Sequence, residues 1–297
     1  MATLSLLHPR YVRSNGYDPK WVTDNQMGPN ALWLTEALTE VLPIEPGMKV
    51  LDLGCGKAMS SIFLAREFGA KVWATDLWIP ASENQQRIVD TGLTDLITPI
   101  HAEAHTLPFA HDFFDAIVSF DSYQYFGTSD LYLRYILEFL KTGGRIGAVM
   151  PSTTRELGDE VPVALEPFWE WDFCCWHTPG WWQTHWAKTH KVRVDVADMI
   201  DEGWRDPRSP ATQRSDRKRQ AHPAFRGQRC RRCARSLREL LAREFGVELG
   251  ARNRREHLSV FGGRFAEHIE LHRADECHEA THHLTVTLGL HVGDVRR

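Results

Sequence analysis

The chain has 297 residues, 42% hydrophobic and 25% charged, with a formal net charge of −4. These are ordinary values for a globular protein, and no apolar run reaches the roughly 20 residues that cross a bilayer, so no membrane-spanning helix is expected. The first residues lack the basic start and apolar stretch of a secretory signal, and six irregularly spaced cysteines suit a reducing compartment, so the expected location is the cytoplasm.

After a polar start, GPNALWLTEALTEVL carries Leu34, Leu38, Val41 and Leu42 at helical spacing. Pro43 and Pro46 end that helix. The short apolar run 48–53 predicts a buried strand, and 58–68 a helix closed by Gly69. A strand over 71–75 and a helix over 81–91 closed by Gly92 follow, then strands over 97–101 and 114–119. An amphipathic helix is predicted over 130–140, ending at Thr142-Gly143-Gly144, with a strand over 145–150 beyond it. Strand and helix thus alternate from 48 to 150, the pattern of a parallel sheet covered on both faces. Right-handed crossovers place the loops after each strand along one edge, where ligands bind.

Residues 152–190 break this rhythm. PFWEWDFCCWHTPGWWQTHW holds six tryptophans between Trp169 and Trp186, and is read as a cap inserted over the mouth of the site. The alternative is a hydrophobic face packed on the sheet. Val192, Val194 and Val196 then alternate as in a half-buried strand over 191–196.

Residues 205–297 hold 20 of the 35 Lys and Arg but 12 of the 39 acids, and none of the 11 tryptophans. The balance changes sign near Trp204, which divides the chain into a domain over 1–204 and a basic tail over 205–297. The tail is enriched in Arg, His and Cys, the composition of a segment translated in a shifted frame. It offers one helix over 235–245 and a last strand over either 257–262 or 284–292. The expected fold is α/β: a doubly wound, mostly parallel, Rossmann-like seven-stranded sheet with an aromatic-rich cap insertion and an irregular basic C-terminal tail.

The chemistry sits at the first strand–helix turn, Val50-Leu51-Asp52-Leu53-Gly54-Cys55-Gly56-Lys57-Ala58. Glycine at 54 and 56 lets backbone pass close to a ligand, and the following helix offers unpaired N–H groups. Asp76 ends the second strand twenty residues after Gly56, where an acid accepts both hydroxyls of a ribose. A nicotinamide-binding fold shares these features. Against it stand Asp52, where dinucleotide folds carry an apolar residue or another glycine, and Glu103 in AEAHTLPF, an acid placed to meet an adenine amino group.

LDLGCG, ATD, AEAHTLPF, FDAIVSFDSYQYF and LKTGGRI occur in that order at successive strand ends. In this the sequence resembles the class I S-adenosylmethionine-dependent methyltransferases, of the small-molecule type related to ubiquinone, sarcosine and natural-product methyltransferases. The resemblance covers about residues 25–150. It implies S-adenosylmethionine as cofactor, with Gly54 and Gly56 under its methionine part and Asp52 steadying the turn or reaching the ammonium through water. Asp76 would take the ribose hydroxyls, Leu77 would press on the adenine, and Glu103 with the backbone of Ala104 would hold the adenine amino group. Ser119 and Phe120 would lie near the methionine and its sulfonium. Ala58 stands where many relatives have a third glycine, a mild change that closes a little space.

The implied reaction is an in-line methyl transfer, in which orientation lowers the barrier and an oxygen or nitrogen nucleophile can need a base. Tyr125 stands where many relatives carry histidine; with an ordinary pKa of about 10 it is a poorer base. His177 and His185 titrate in the useful range, and Asp121 is a further candidate, as base or helix cap. The tryptophans at 176, 181, 182 and 186 point to a small aromatic or amine-containing acceptor. An acidic body argues against nucleic acid as partner. Two rival readings are a Rossmann oxidoreductase and a methyltransferase-like binding protein tethered to an acidic partner through RGQRCRRCAR. Cys230-x-x-Cys233 with Cys277, His278, His282 and His283 follows no known finger pattern, so no metal site is assigned.

Overall fold

The computed structural model describes residues 7–158, 161, 169–200 and 286–295. Chain order runs α1 (Pro19–Asn25), α2 (Ala31–Val41), β1 (Lys49–Leu53), α3 (Met59–Phe68), β2 (Lys71–Asp76), α4 (Ala81–Thr91), β3 (Ile97–His101) and β4 (Phe114–Phe120). Then come the short helices α5 (Gln124–Gly127) and α6 (Tyr132–Ile136), followed by β5 (Leu140–Thr153), α7 (Pro179–Ala187), β6 (Val192–Met199) and β7 (Val286–Val295). Five strands, in the order β3-β2-β1-β4-β5, are parallel. This is the expected α/β Rossmann-like arrangement, with the connection from β3 to β4 crossing back past β1.

Both faces of the sheet are covered, for reasons visible in the residues. On one face Leu32, Leu38 and Leu42 of α2 and its exit, with Ile62 and Phe63 of α3, are wholly buried. Each such side chain contributes about 1.5–3 kcal/mol by leaving water. Asn30 starts α2 by accepting a hydrogen bond from Leu32 N at 3.1 Å, a cap worth about 1 kcal/mol. On the other face Phe114, Tyr132, Ile136, Trp182 and Trp186 form a second core.

Three differences from the expected elements have physical causes. The helix predicted over 130–140 is reduced to α6 and a 3-10 turn over Leu137–Phe139. Asp112 N and Phe113 N donate to Glu138 O and Phe139 O, and Phe114 pairs with Leu140; this draws the end of the helix into the sheet. Thr142-Gly143-Gly144 consequently lies inside β5 at an irregularity in the register with β4. The tryptophans of α7 belong to the sheet-packing alternative: Trp182 and Trp186 pack on Tyr123 with ring centroids 5.8 and 5.6 Å apart.

The tail supplies a strand from the second of its two candidate stretches, over 286–295. It pairs antiparallel with β5 on one side and with β6 on the other, completing the order β3-β2-β1-β4-β5-β7-β6. The helix read over 235–245, the stretch 257–262 and the basic run 205–235 lie outside the described residues. No described helix is long and apolar enough to cross a membrane.

Candidate active site

The carboxyl ends of β1, β2 and β4 and the segment after β3 surround a cavity of about 320 Å³, within the range of small-molecule sites. Its walls are Leu53–Lys57, Asp76–Trp78, Ala102–His105, Phe120–Ser122 and Tyr125–Phe126. The N-terminal segment closes the remaining side with Asn25, Met27, Gly28 and Pro29. That segment is held in place at several points. Buried Glu36 accepts from Arg13 N, Ser14 N and Ser14 Oγ at 2.9, 2.9 and 2.6 Å, and Lys57 Nζ donates to Asp24 O at 2.8 Å.

The turn after β1 explains its own glycines. Gly54 has φ +74°, and a Cβ there would lie 2.2 Å from Ser122 Oγ. Gly54 N and Cys55 N both donate to Thr75 O at 2.9 Å, which folds the turn against β2. The Asp76 carboxylate then fastens it: Oδ2 accepts from Gly56 N, and Oδ1 from Trp78 N and Ile79 N, each at 2.8 Å. A carboxylate has about four acceptor positions, so three backbone donors leave capacity for a ligand hydroxyl at the cavity wall. Ala58 is not a mild replacement for glycine: its backbone is left-handed, φ 59°, a conformation that costs an L-residue about 1–2 kcal/mol.

Of the residues singled out in the sequence, Gly54, Gly56, Asp76, Leu77, Glu103, Ala104 and Tyr125 come together around this cavity. Glu103 meets His105 there, accepting from its backbone N–H at 2.9 Å, with Oε1 2.7 Å from Nδ1. Asp52 stays away from the lining. It is wholly buried beneath the turn, where Oδ2 accepts from Ser60 Oγ and Ser61 Oγ at 2.6 Å each. It therefore anchors the first turn of α3. Burial pushes its carboxyl up to about 6, against the opposing effect of the two serine hydroxyls. Ser119 is also buried away from the cavity; its Oγ donates to Leu53 O at 2.8 Å and lies 2.7 Å from the Oγ of Ser122, which lines the wall.

The candidate proton acceptors lie in different surroundings. His177 is outside the cavity, stacked on Trp181 with centroids 3.7 Å apart and paired with Glu156 at 2.7 Å. His185 is buried on α7 with Nε2 3.0 Å from Gly127 O, and burial lowers its pKa. Tyr125 does line the cavity, but burial, then Asp121 and Asp172, push its hydroxyl far above the ordinary value. None of Trp176, Trp181, Trp182 and Trp186 lines the cavity; Trp176 stacks on Phe173, and Tyr125 packs against that pair.

Several lining residues carried no signal that a single strand–turn–helix unit could reveal. Met27 and Gly28 arrive from the N-terminal segment, and Trp78, His105 and Phe126 flank residues that were singled out. Gly28-Pro29 before a helix start was the available clue to a turn, but nothing local says that the turn folds over Gly54 and Gly56.

A family model described as a methyltransferase domain matches residues 50–144. Methyltransferase GfsG of Streptomyces halstedii is 34% identical over 137 residues, 44% of this chain and 48% of its own length. Erythromycin 3''-O-methyltransferase of Saccharopolyspora erythraea is 30% identical over 141 residues, 45% of each protein. The chain thus spans about half the length of these relatives. In fold it is similar to phosphoethanolamine N-methyltransferase 2 of Haemonchus contortus, solved with S-adenosyl-L-methionine: TM-score 0.59, 14% identity, over 98% of this chain and 59% of that one. The matched segment supplies the glycine turn, Asp76, Glu103 and Tyr125, and over these residues the chain is similar to a methyltransferase domain.

Proposed function

We propose that the cavity binds S-adenosylmethionine and that the protein transfers its methyl group to an oxygen, nitrogen or carbon nucleophile of a small acceptor. The observation that carries this reading is the Gly54–Gly56 turn locked onto Asp76 at the wall of a cavity of small-molecule size. The donor set fits the cofactor. Asp76, Glu103 and Asp121 face the cavity, while the lysine among the lining residues, Lys57, is bound to Asp24 O, and such a field favours a cationic ligand.

In this reading the backbone of Gly54 and Gly56 passes under the methionine part, and Asp76 accepts a ribose hydroxyl at its remaining position. Leu77 covers the adenine, and Glu103 with the backbone of Ala104 takes its amino group. Ser119 acts through Ser122 and the Leu53 carbonyl, and Asp52 acts through α3. When bound, the cofactor supplies a methyl carbon activated by the sulfonium charge. The protein's part is orientation, which can contribute several kcal/mol or more, and the Tyr125 hydroxyl donates a hydrogen bond on the acceptor side.

The acceptor is a small aromatic or amine-containing molecule, for the rings of Trp78, Tyr125 and Phe126 share the lining. The aromatic segment 169–176 backs Tyr125 and serves as the cap of that side. A domain over 1–204 then carries the chemistry, the tail contributing β7, and the cytoplasm is the site of action. Incubating the protein with methyl-labelled S-adenosylmethionine and a fractionated small-molecule extract tests the proposal. Label is expected in a compound of low mass, and its absence from every small-molecule fraction would overturn the reading.

A further inference from the structure

Asp121 follows β4 and lines the cavity, and beyond its share of the acidic field the cofactor contacts described above assign it no specific task. Its backbone is left-handed, φ 51°, and is held there by its N–H donating to Val149 O at 2.7 Å. Conformations of this kind in non-glycine residues concentrate at functional sites. The N-terminal loop makes room for the carboxylate: a Cβ on Gly28 would lie 2.5 Å from Asp121 Oδ2. Gln124 Nε2 donates to the other oxygen, Oδ1, at 3.3 Å.

The other acids of the lining are differently engaged. Asp76 is fastened to three backbone amides and Glu103 to His105. Asp121, which accepts from Gln124 Nε2, stands beside the rings, its charge close enough to Tyr125 to raise the hydroxyl pKa. Trp78 lies across from Tyr125 with centroids 6.3 Å apart. A carboxylate within an aromatic wall recognises a ring-bearing cation: the rings take the apolar body, and the charge takes the nitrogen.

We infer that Asp121 determines acceptor specificity, its carboxylate pairing with the amine nitrogen of a small aromatic amine. The inference rests on the methyltransferase reading above and narrows its acceptor class.

The probe is tyramine, titrated by calorimetry into the full chain saturated with S-adenosylhomocysteine, with p-cresol as the same ring without the amine. The wild-type protein is expected to bind tyramine more tightly than p-cresol. Asp121→Asn and Asp121→Gly should each weaken tyramine by about tenfold or more and leave p-cresol and S-adenosylhomocysteine unchanged. Glycine suits a left-handed backbone, so the second variant keeps the fold if the first does not. Failure of tyramine to bind wild-type protein that does bind S-adenosylhomocysteine would overturn the inference. So would equal tyramine binding by the variants, or a loss confined to S-adenosylmethionine, which would make Asp121 a partner of the sulfonium. If the wild-type chain does not take S-adenosylhomocysteine, the proposed function itself fails.

Discussion

Substituting Gly54 by alanine tests the turn at its tightest point. With φ +74°, the alanine backbone is strained by about 1–2 kcal/mol before any contact is considered. The added Cβ would lie 2.2 Å from Ser122 Oγ and 2.6 Å from its Cβ, so Ser122 must move. That hydroxyl lies 2.9 Å from Leu53 O and 2.7 Å from Ser119 Oγ, and each hydrogen bond lost costs about 0.5–1.5 kcal/mol. The full loss is about 2–5 kcal/mol. Gly47→Ala is the matched control: φ is +80°, but nothing lies within 4 Å of the new Cβ, so only the backbone strain applies. Urea unfolding of both variants should show Gly54→Ala less stable than Gly47→Ala by about 1–3 kcal/mol. Equal losses would refute the contact with Ser122 as the reason for glycine at this position.

Asp52 has its pKa raised to about 6 by burial, against about 3.9 in an unfolded chain. The folded state therefore binds the proton more tightly, and stability should fall as pH rises from about 4 to about 6, on the order of 3 kcal/mol in all. Asp52→Asn should remove that slope in unfolding titrations across the window, and an unchanged slope would count against a buried carboxyl. Tyr125→Phe should lower turnover by less than about tenfold without altering its pH profile, since the hydroxyl stays protonated; loss of a titrating limb would show that Tyr125 acts as a base. His177→Ala should leave S-adenosylhomocysteine affinity unchanged, with stability reduced by about 1 kcal/mol from the lost stack on Trp181. A chain ending at residue 280 loses β7 and leaves the facing edges of β5 and β6 unpaired; thermal scans should show collapse or aggregation, and an unchanged midpoint would contradict the placement of this strand.

What the sequence revealed and what it hid divide along range of interaction. β1, α3 and β2 were legible because their signals are local: apolar runs, Gly69 as a C-cap, and an acid at fixed spacing from a glycine pair. Asp52 was legible as unusual, but an acid in a buried strand resembles a ligand contact until Ser60 and Ser61 are seen to donate to its Oδ2. The helix over 130–140 had the right apolar spacing, but backbone pairing with Asp112 and Phe113 outweighed it. The tryptophans marked a packed surface as readily as a binding wall, and composition cannot separate the two. Met27 and Gly28 depend on contacts between residues far apart in the chain, which no local pattern encodes, and the alternation over 284–292 marked a candidate strand without showing that it pairs between β5 and β6.

The account turns on Asp76 and the glycine turn clasping an adenosyl ligand. Calorimetric titration of S-adenosylmethionine into the purified chain and into Asp76→Ala addresses it most directly. One-to-one binding by the parent and a loss of at least about 2 kcal/mol in the variant, from the missing carboxylate, are predicted. No heat with the parent, or undiminished affinity in the variant, would contradict the account.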